Sequence, residues 1–246
     1  MSDLLHGINP VAEALESGTR KPLEIILPNG RLTPRLEQLR EQAEKQGVSI
    51  RLIDKPEFDR LAGHNRHQQV LLKLPAYVYA EFGQLLDSWR SSGRSAFFLI
   101  LDGVTDPHNF GAILRSAEVA GCHGVFVAKD RSCSVTPVVE KTAAGALSHL
   151  LLCQVTNLSR TIEELKKHGV WCYGLAGDEG SKDLFSTDLT GNLALIVGSE
   201  GKGMRPNVRK HCDGLLAIPM RGQIESLNAS VATAIALFEV VRQGEK

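Results

Sequence analysis

The sequence has no excess of charge of either sign: 28 Lys and Arg balance 28 Asp and Glu across 246 residues. That excludes a uniformly basic surface, so a phosphate-bearing partner would have to meet local clusters. Two clusters qualify, Arg60, His64, Arg66 and His67 in the first third and Arg205, Arg209 and Lys210 in the last. Each is also what an ordinary solvated surface looks like. No apolar run approaches the roughly 18–20 residues that a membrane-spanning helix needs. The opening Met-Ser-Asp-Leu-Leu-His-Gly lacks the basic-then-apolar layout of a secretory leader. Cys122, Cys133, Cys153, Cys172 and Cys212 are odd in number and form no Cys-x-x-Cys pair. This argues against a disulfide framework or a zinc site, and for buried, inert thiols in a reducing cytoplasm. Neither a membrane partner nor a metal is expected. A Gly-Lys-Ser/Thr phosphate loop, a His-Glu-x-x-His pair and a Gly-x-Ser-x-Gly elbow are all missing, so hydrolase and nucleotide-triphosphatase readings lose their usual anchors.

What is present is an alternation of helix and strand signals. Residues 1–75 read as a small α/β domain. Asn9-Pro10 and Thr33-Pro34 start helices, Leu23–Leu27, Val48–Ile53 and Val70–Leu74 read as strands, and Pro56–Leu61 as a short helix. Residues 76–95 read as a linker, with a helix over Tyr79–Trp89 and a polar hinge at Ser91–Ser95. Residues 96–246 form a larger α/β domain. Its strands are expected at Phe97–Asp102, Gly124–Ala128, Leu150–Gln154, Val170–Leu175, Leu193–Gly198 and Leu215–Ile218. Its helices are expected at Phe110–Ala120, Pro137–Ser148, Leu158–His168, Pro206–His211 and Asn228–Arg242. Near-continuous apolar strands between helices indicate a mostly parallel sheet covered on both faces.

Three loops after strand ends gather the unusual residues, where open α/β sheets bind their ligands. The first, Asp102–Asn109, opens a helix that carries Arg115. Asn109 is a natural N-cap as well as a candidate ligand contact. Arg115 sits two turns into an apolar helix, where a charge needs a partner. The second, Gly198-Ser199-Glu200-Gly201-Lys202-Gly203, has glycines that let a ligand approach the backbone, but in an order unlike a dinucleotide fold. Glu200 there suits a cationic or hydroxyl-bearing ligand better than a phosphate. The third, Ile218–Asn228, ends in Ser226-Leu227-Asn228 at a helix start. A further glycine-bearing turn, Gly174–Gly180, is equally a nucleotide cradle or a plain surface turn.

Taken together, Asn109–Ser116, Leu195–Met204 and Ile218–Ala232 resemble the three motifs of the SpoU/TrmH branch of the SPOUT RNA ribose 2′-O-methyltransferases. The first 75 residues, with their His6-Gly7-Ile8 opening, resemble the L30-like RNA-binding domain of the subgroup that modifies a guanosine in 23S rRNA. Where related chains often have glycine third, this one has His67-Gln68-Gln69, which puts the shape of that turn at issue. The resemblance implies a SPOUT (α/β knot) catalytic domain with a C-terminal trefoil knot, acting as a homodimer with active sites at the subunit interface. It implies S-adenosylmethionine (AdoMet) as cofactor, held by Leu175, Ala176, Gly177, Gly198, Ile218, Met220 and Leu227, and 23S rRNA of the peptidyl-transferase region as substrate during ribosome biogenesis. Arg115 matches the family's essential Arg. Because an Arg side chain, with pKa above about 12, is a poor proton acceptor, Arg115 suits stabilising an alkoxide and anchoring a phosphate. Asn109, Glu200, Ser226 and Asn228 would orient the ribose, Arg115 and phosphate, and Arg60, Arg66 and His67 would meet RNA. The competing readings are a tRNA 2′-O-methyltransferase of the same family, a non-catalytic rRNA-binding assembly factor, and a nucleotide-dependent enzyme using the glycine loops.

Overall fold

Short apolar segments separated by helix-starting signals build two α/β units. A computed structural model describes residues 2–17, 20–63, 67–178, 180–223 and 226–244. His64 and Arg66 of the first basic cluster, Glu179 of the glycine-bearing turn, and Ile224 and Glu225 of the last loop lie outside the described residues. The units are Met1–Val78 with Val135–Lys141, and Tyr79–Ser134 with Thr142–Lys246.

The first unit runs β1 (Ser2–His6), α1 (Ile8–Ser17), β2 (Glu24–Pro28), α2 (Pro34–Lys45), β3 (Ser49–Ile53), α3 (Lys55–Ala62) and β4 (Leu71–Pro75). Thr33 Oγ1 accepts from the Leu36 N–H and Asp54 Oδ1 from the Glu57 N–H, so both proline-started helices are capped by their own sequence. The sheet order is β1-β4-β2-β3, with β4 antiparallel to both neighbours and β2 parallel to β3. Val11, Leu15, Leu36 and Leu39 cover one face against Ile25 and Leu72. Phe58 and Ala62 of α3 cover the other against Ile26 and Leu71. β1 had no sequence signal of its own and exists through its pairing with β4. The turn before Val70 keeps a left-handed shape without glycine: Gln68 and Gln69 take φ of 51° and 58°. Gln68 Oε1 accepts from the Ile8 N–H at 2.8 Å, which ties that turn to the Gly7 bend. Within this unit Arg20 Nε lies 2.9 Å from Glu140 Oε1, both side chains buried.

The second unit contains α4 (Phe82–Ser92), β5 (Phe97–Asp102), α5 (Pro107–Val119), β6 (Gly124–Ala128), β7 (Leu152–Val155) and α7 (Leu158–Lys167). These are followed by β8 (Trp171–Leu175), β9 (Lys182–Asp183), β10 (Leu193–Gly198), α8 (Pro206–Arg209), β11 (Gly214–Ala217) and α9 (Ala229–Gly244). α6 (Pro137–Ala143) falls between β6 and β7 and belongs mostly to the first unit. It is shorter than the helix expected over Pro137–Ser148, because Ala144 and Gly145 take φ of 49° and 92°, and only a 3₁₀ turn, Ala146–Ser148, follows. α4 lies within the stretch expected as a linker, yet Leu85 and Leu86 are buried with Phe98 and Phe126.

All seven strands of the larger sheet are parallel, in the order β7-β6-β5-β10-β8-β11-β9. From β5 the chain moves outward to β6 and β7, then crosses to β8 and later places β10 between β5 and β8. β5 and β10 are buried along their whole length, as central parallel strands with both faces covered must be. The order reverses beside β5 and β10, so the loops after β5, β10, β8 and β11 stand side by side at one sheet edge.

The five thiols fit the expectation of inert cysteines: burial pushes Cys133, Cys153 and Cys212 up to about 11 and Cys172 to about 12, and raises Cys122 further. Buried His123 links α4 to β5, its Nδ1 accepting from the Phe97 N–H at 3.1 Å and its Nε2 2.9 Å from Ser92 Oγ. Burial first, then the charge of Arg94, lowers its pKa from the ordinary 6.5. A histidine whose folded pKa is depressed contributes stability above its unfolded pKa and loses it as pH falls. The melting temperature should therefore decline as pH drops below about 6.5, and less steeply in His123→Asn. Parallel pH profiles for the two proteins would remove this histidine from the account.

Candidate active site

The loop after β5 is fixed by Asp106, not by Asn109. Asp106 Oδ1 accepts from the Asn109 N–H at 2.7 Å and caps α5, so of the two readings open for Asn109 the N-cap one falls. Asn109 sits in the first turn with its side chain free to reach across the sheet edge. There its Nδ2 donates to Glu200 Oε1 at 2.7 Å. Asn228 joins both: its Nδ2 donates to Asn109 Oδ1 at 2.9 Å and to Glu200 Oε1 at 3.0 Å. Asn228 Oδ1 meanwhile accepts from the Ser230 N–H at 2.9 Å and caps α9. The Ala229 N–H lies 3.4 Å from Glu200 Oε1, so the carboxylate stands at the positive end of that helix. Three residues from three strand-end loops thus converge on one oxygen, while Glu200 Oε2 has no hydrogen bond among the described residues. Such an oxygen can accept from a hydroxyl, and it would repel a phosphate.

Arg115 is exposed on α5 and has no ion pair or hydrogen bond among the described residues. The expectation that a charge between Leu114 and Ser116 needs a partner is therefore corrected: Leu114 faces the core and Arg115 faces away from it. Its charge is uncompensated and available to a ligand or to another chain. Ser226 is exposed just before the start of α9, with no hydrogen bond among the described residues.

Gly198 closes β10 for a reason internal to the fold. A Cβ there would stand 2.2 Å from Gly203 C and from Met204 N. The backbone of the Glu200 loop crosses directly over it, with Ser199 and Gly203 bonded to each other through both backbone N–H groups. The chain itself fills the space on the side of Gly198 where a Cβ would point, which is why glycine is required there. Beneath this loop the fully buried Asp102 carboxylate takes the Arg205 N–H at 2.7 Å and Arg205 Nε at 2.6 Å. This pair, 103 residues apart, fixes the far end of the loop, and sequence reasoning missed it. The one signal was an acidic residue ending an otherwise apolar strand. Arg209 pairs with Asp178, so of the second basic cluster only Lys210 keeps an unpaired charge among the described residues.

The remaining expected ligand residues line the neighbouring loops. Leu175 ends β8, Ala176 donates its N–H to Leu216 O at 2.9 Å, and Gly177 is open, with nothing within 4 Å of an added Cβ. Ile218 follows β11, and Met220 and Leu227 are 41% and 38% exposed, unusual for large apolar side chains at a strand edge. In the first unit Arg60 is exposed on α3. His67 is not: its buried ring lies 4.9 Å from the Phe58 ring, Nε2 is 3.2 Å from Asp59 Oδ1, and Nδ1 accepts from the Gln69 N–H. It holds the turn at Gln68-Gln69 and presents no surface to a partner.

Residues 96–238 match the SpoU rRNA methylase family, and residues 4–80 match an RNA 2′-O ribose methyltransferase substrate-binding domain. The chain belongs to the SpoU rRNA methylase family. Its relatives include the 23S rRNA (guanosine-2′-O-)-methyltransferase RlmB of Xanthomonas campestris pv. campestris, 45% identical over 96% of this chain and 95% of that one. RlmB of Escherichia coli K12 is 43% identical over 99% of each chain. Among solved structures, the SpoU methyltransferase AviRb of Streptomyces viridochromogenes in complex with AdoMet superimposes with a TM-score of 0.62 at 24% identity, covering 98% of this chain and 90% of that one. The A. aeolicus TrmH/SpoU tRNA-modifying enzyme covers 65% of this chain and 82% of its own, with a TM-score of 0.56 at 26% identity. The resemblance read from the three motifs is borne out, and so is the fold class. Among the described residues no helix is long and apolar enough to cross a membrane, and no cluster of side chains could hold a metal ion.

The crossing over Gly198 gives a direct structural test. Gly198→Ala should lower stability by about 1–3 kcal/mol, the usual cost of overpacking, because backbone rather than a flexible side chain must move. A Gly198→Ala protein that melts with the wild type would show that the loop does not cross there.

Proposed function

We propose that this protein transfers a methyl group from AdoMet to the ribose 2′-hydroxyl of a guanosine in 23S rRNA. The observation that carries the reading is Glu200, held through one oxygen by Asn109 and Asn228 with its other oxygen open, in a SpoU-family chain with RlmB relatives along nearly its full length. The full-length RlmB relatives favour rRNA over the tRNA alternative, whose solved neighbour covers only the larger part of this chain. The intact polar centre argues against a purely non-catalytic assembly factor.

The strand-end loops fit the cofactor. Gly177, Ile218 and Met220 have backbone N–H groups without partners among the described residues. Met220 and Leu227 offer exposed apolar surface beside them, suited to an adenine ring, and the buried Ser181 Oγ, one residue before the strand paired with β11, has no partner among the described residues. Leu175, Ala176 and Gly177 would hold it from one side, and Ile218, Met220 and Leu227 from the other. When bound, AdoMet supplies an electrophilic methyl carbon on a sulfonium.

The chain's own residues have two tasks. The first is alignment, which can contribute about 7–11 kcal/mol when a nucleophile is held in a near-attack geometry. Glu200 Oε2 accepts from a ribose hydroxyl, and Asn109 and Asn228 keep that carboxylate from turning away. The second is to stabilise the charge that grows on the 2′-oxygen as its proton passes to the Glu200 carboxylate that accepts from it. Arg115, uncompensated by any carboxylate among the described residues, serves there and holds a neighbouring phosphate. Ser226 contributes a hydroxyl at the same helix start.

The chain functions as a homodimer in the cytoplasm. Val119 on α5 and Val231 and Phe238 on α9, which packs against α5, are exposed apolar side chains that a second copy would cover. The first unit, with Arg60 exposed, serves the RNA substrate.

The test is methylation of 23S rRNA in vitro, read as a 2′-O-methylguanosine resistant to alkaline cleavage. Arg115→Ala should abolish transfer while the protein melts with the wild type and binds AdoMet with unchanged affinity. Arg115→Lys should not restore it, because lysine lacks the planar fork. Near-normal transfer by Arg115→Ala would remove Arg115 from the mechanism, and a wild-type chain that leaves every guanosine unmethylated would overturn the function itself.

A further inference from the structure

Residues 96–246 hold 15 Lys and Arg against 16 Asp and Glu, so no long-range field draws RNA to the sheet edge where Glu200 stands. Many cations of the second unit are also spent locally: Lys166 pairs with Asp213, Lys167 with Glu164, Arg205 with Asp102, Arg209 with Asp178 and Arg242 with Glu239. The loop after β6, Lys129-Asp130-Arg131-Ser132-Cys133, differs. Lys129 and Arg131 are exposed, and neither side chain has a hydrogen bond or ion pair among the described residues.

This loop is part of the same sheet edge. β6 lies beside β5, and the Cys133 N–H donates to Val104 O at 2.8 Å. A Cβ on Gly103 would stand 3.8 Å from Arg131 O on one side and 3.6 Å from Ser199 Cβ on the other. Gly103 thus lies between the Arg131 backbone and Ser199 of the loop that carries Glu200. Cys133 registers the same proximity: burial, and then the charge of Asp106, pushes its thiol up to about 11. Asp130 is exposed and lies between the two cations in sequence, while the Asp106 carboxylate, whose charge reaches Cys133, caps α5.

Arg131 has φ of 60°, a left-handed conformation that glycine adopts freely and arginine does not. The backbone would prefer glycine, yet the chain places a long unpaired cation there. Strain of this kind costs about 1–3 kcal/mol and persists only where the surrounding structure holds it in place.

We propose that Lys129 and Arg131 form a phosphate-binding surface for the RNA strand beside the target nucleotide, within the catalytic unit itself. The proposal rests on the rRNA reading above. Two cations at this position grip the backbone of the substrate strand as its ribose approaches Glu200, which lets a unit without net positive charge hold RNA locally. Asp130 faces solvent between them and keeps the grip weak enough for release.

The experiment uses the full chain, 23S rRNA transcript and a potassium chloride series, comparing wild type with Arg131→Gly and with Lys129→Gln/Arg131→Gly. Arg131→Gly should melt at or above the wild-type temperature, since glycine relieves the strained φ. In the double variant the RNA dissociation constant should rise about tenfold at low salt, and the slope of log affinity against log salt should fall by about 2, near one per phosphate contact. KM for RNA should rise with it while kcat and the AdoMet dissociation constant stay within about twofold, as expected for lost ground-state binding. Unchanged RNA affinity and salt slope in a folded double variant would overturn the proposal. So would an Arg131→Gly protein that melts well below wild type, since Arg131 would then be structural. A wild-type chain that methylates rRNA beside unaffected variants refutes this surface alone, whereas a wild type without methylation refutes the underlying function.

Discussion

Oxygen Oε1 of Glu200 is the point on which the site depends. It receives the Asn109 amide from the loop after β5 and the Asn228 amide from the loop after β11, while the carboxylate belongs to the loop after β10. Two of these loops start the helices α5 and α9, which pack against each other, so the contact also sets the spacing of those two helices at the sheet edge. Each donor is committed elsewhere as well: Asn228 caps α9 with its oxygen, and Asn109 is placed by the Asp106 cap. A charge-assisted bond from each amide is stronger than its neutral counterpart. The carboxylate is therefore oriented before any ligand arrives, with one oxygen committed and the other presented outward. Such preorganisation is what alignment of a nucleophile requires.

Beneath that contact lies a second constraint, the crossing of the Gly203–Met204 backbone over Gly198. With the buried Asp102–Arg205 pair it anchors the loop at its far end, so Glu200 is carried on a short, doubly fastened segment. The parallel strands supply the frame: placing β10 between β5 and β8 is what brings three sequence-distant loops to one edge.

Much of this was legible in the sequence, for identifiable reasons. Buried parallel strands such as β5, β6 and β10 are unbroken apolar runs, and the Asn157 cap and the Pro starts mark helices by chemistry alone. Asn109, Glu200 and Asn228 stood out because amides and carboxylates at strand ends are out of place unless something uses them. What sequence could not resolve were choices between equivalent chemistries. Asp106 and Asn109 are both good caps, and only the backbone decides between them. Arg115 and Leu114 are adjacent, and a small change in helix phase decides which is buried. His67 reads as a surface cation but is stacked on Phe58, and Gly198 reads as ligand-facing although its own chain covers the side where a Cβ would point. The left-handed Arg131 was invisible because propensity places glycine at such positions, whereas the left-handed Gln68 and Gln69 showed only as a turn of unsettled shape.

The account holds that Asn109 acts through Glu200 and not separately from it. A double-mutant cycle measures this directly, with kcat/KM for rRNA methylation determined in Asn109→Ala, Glu200→Ala and the double variant. If the amide serves only to orient the carboxylate, the double variant loses no more than about threefold beyond Glu200→Ala, a strong negative deviation from additivity. If the two losses multiply, the residues act independently, and the shared oxygen is not the organising contact of the site.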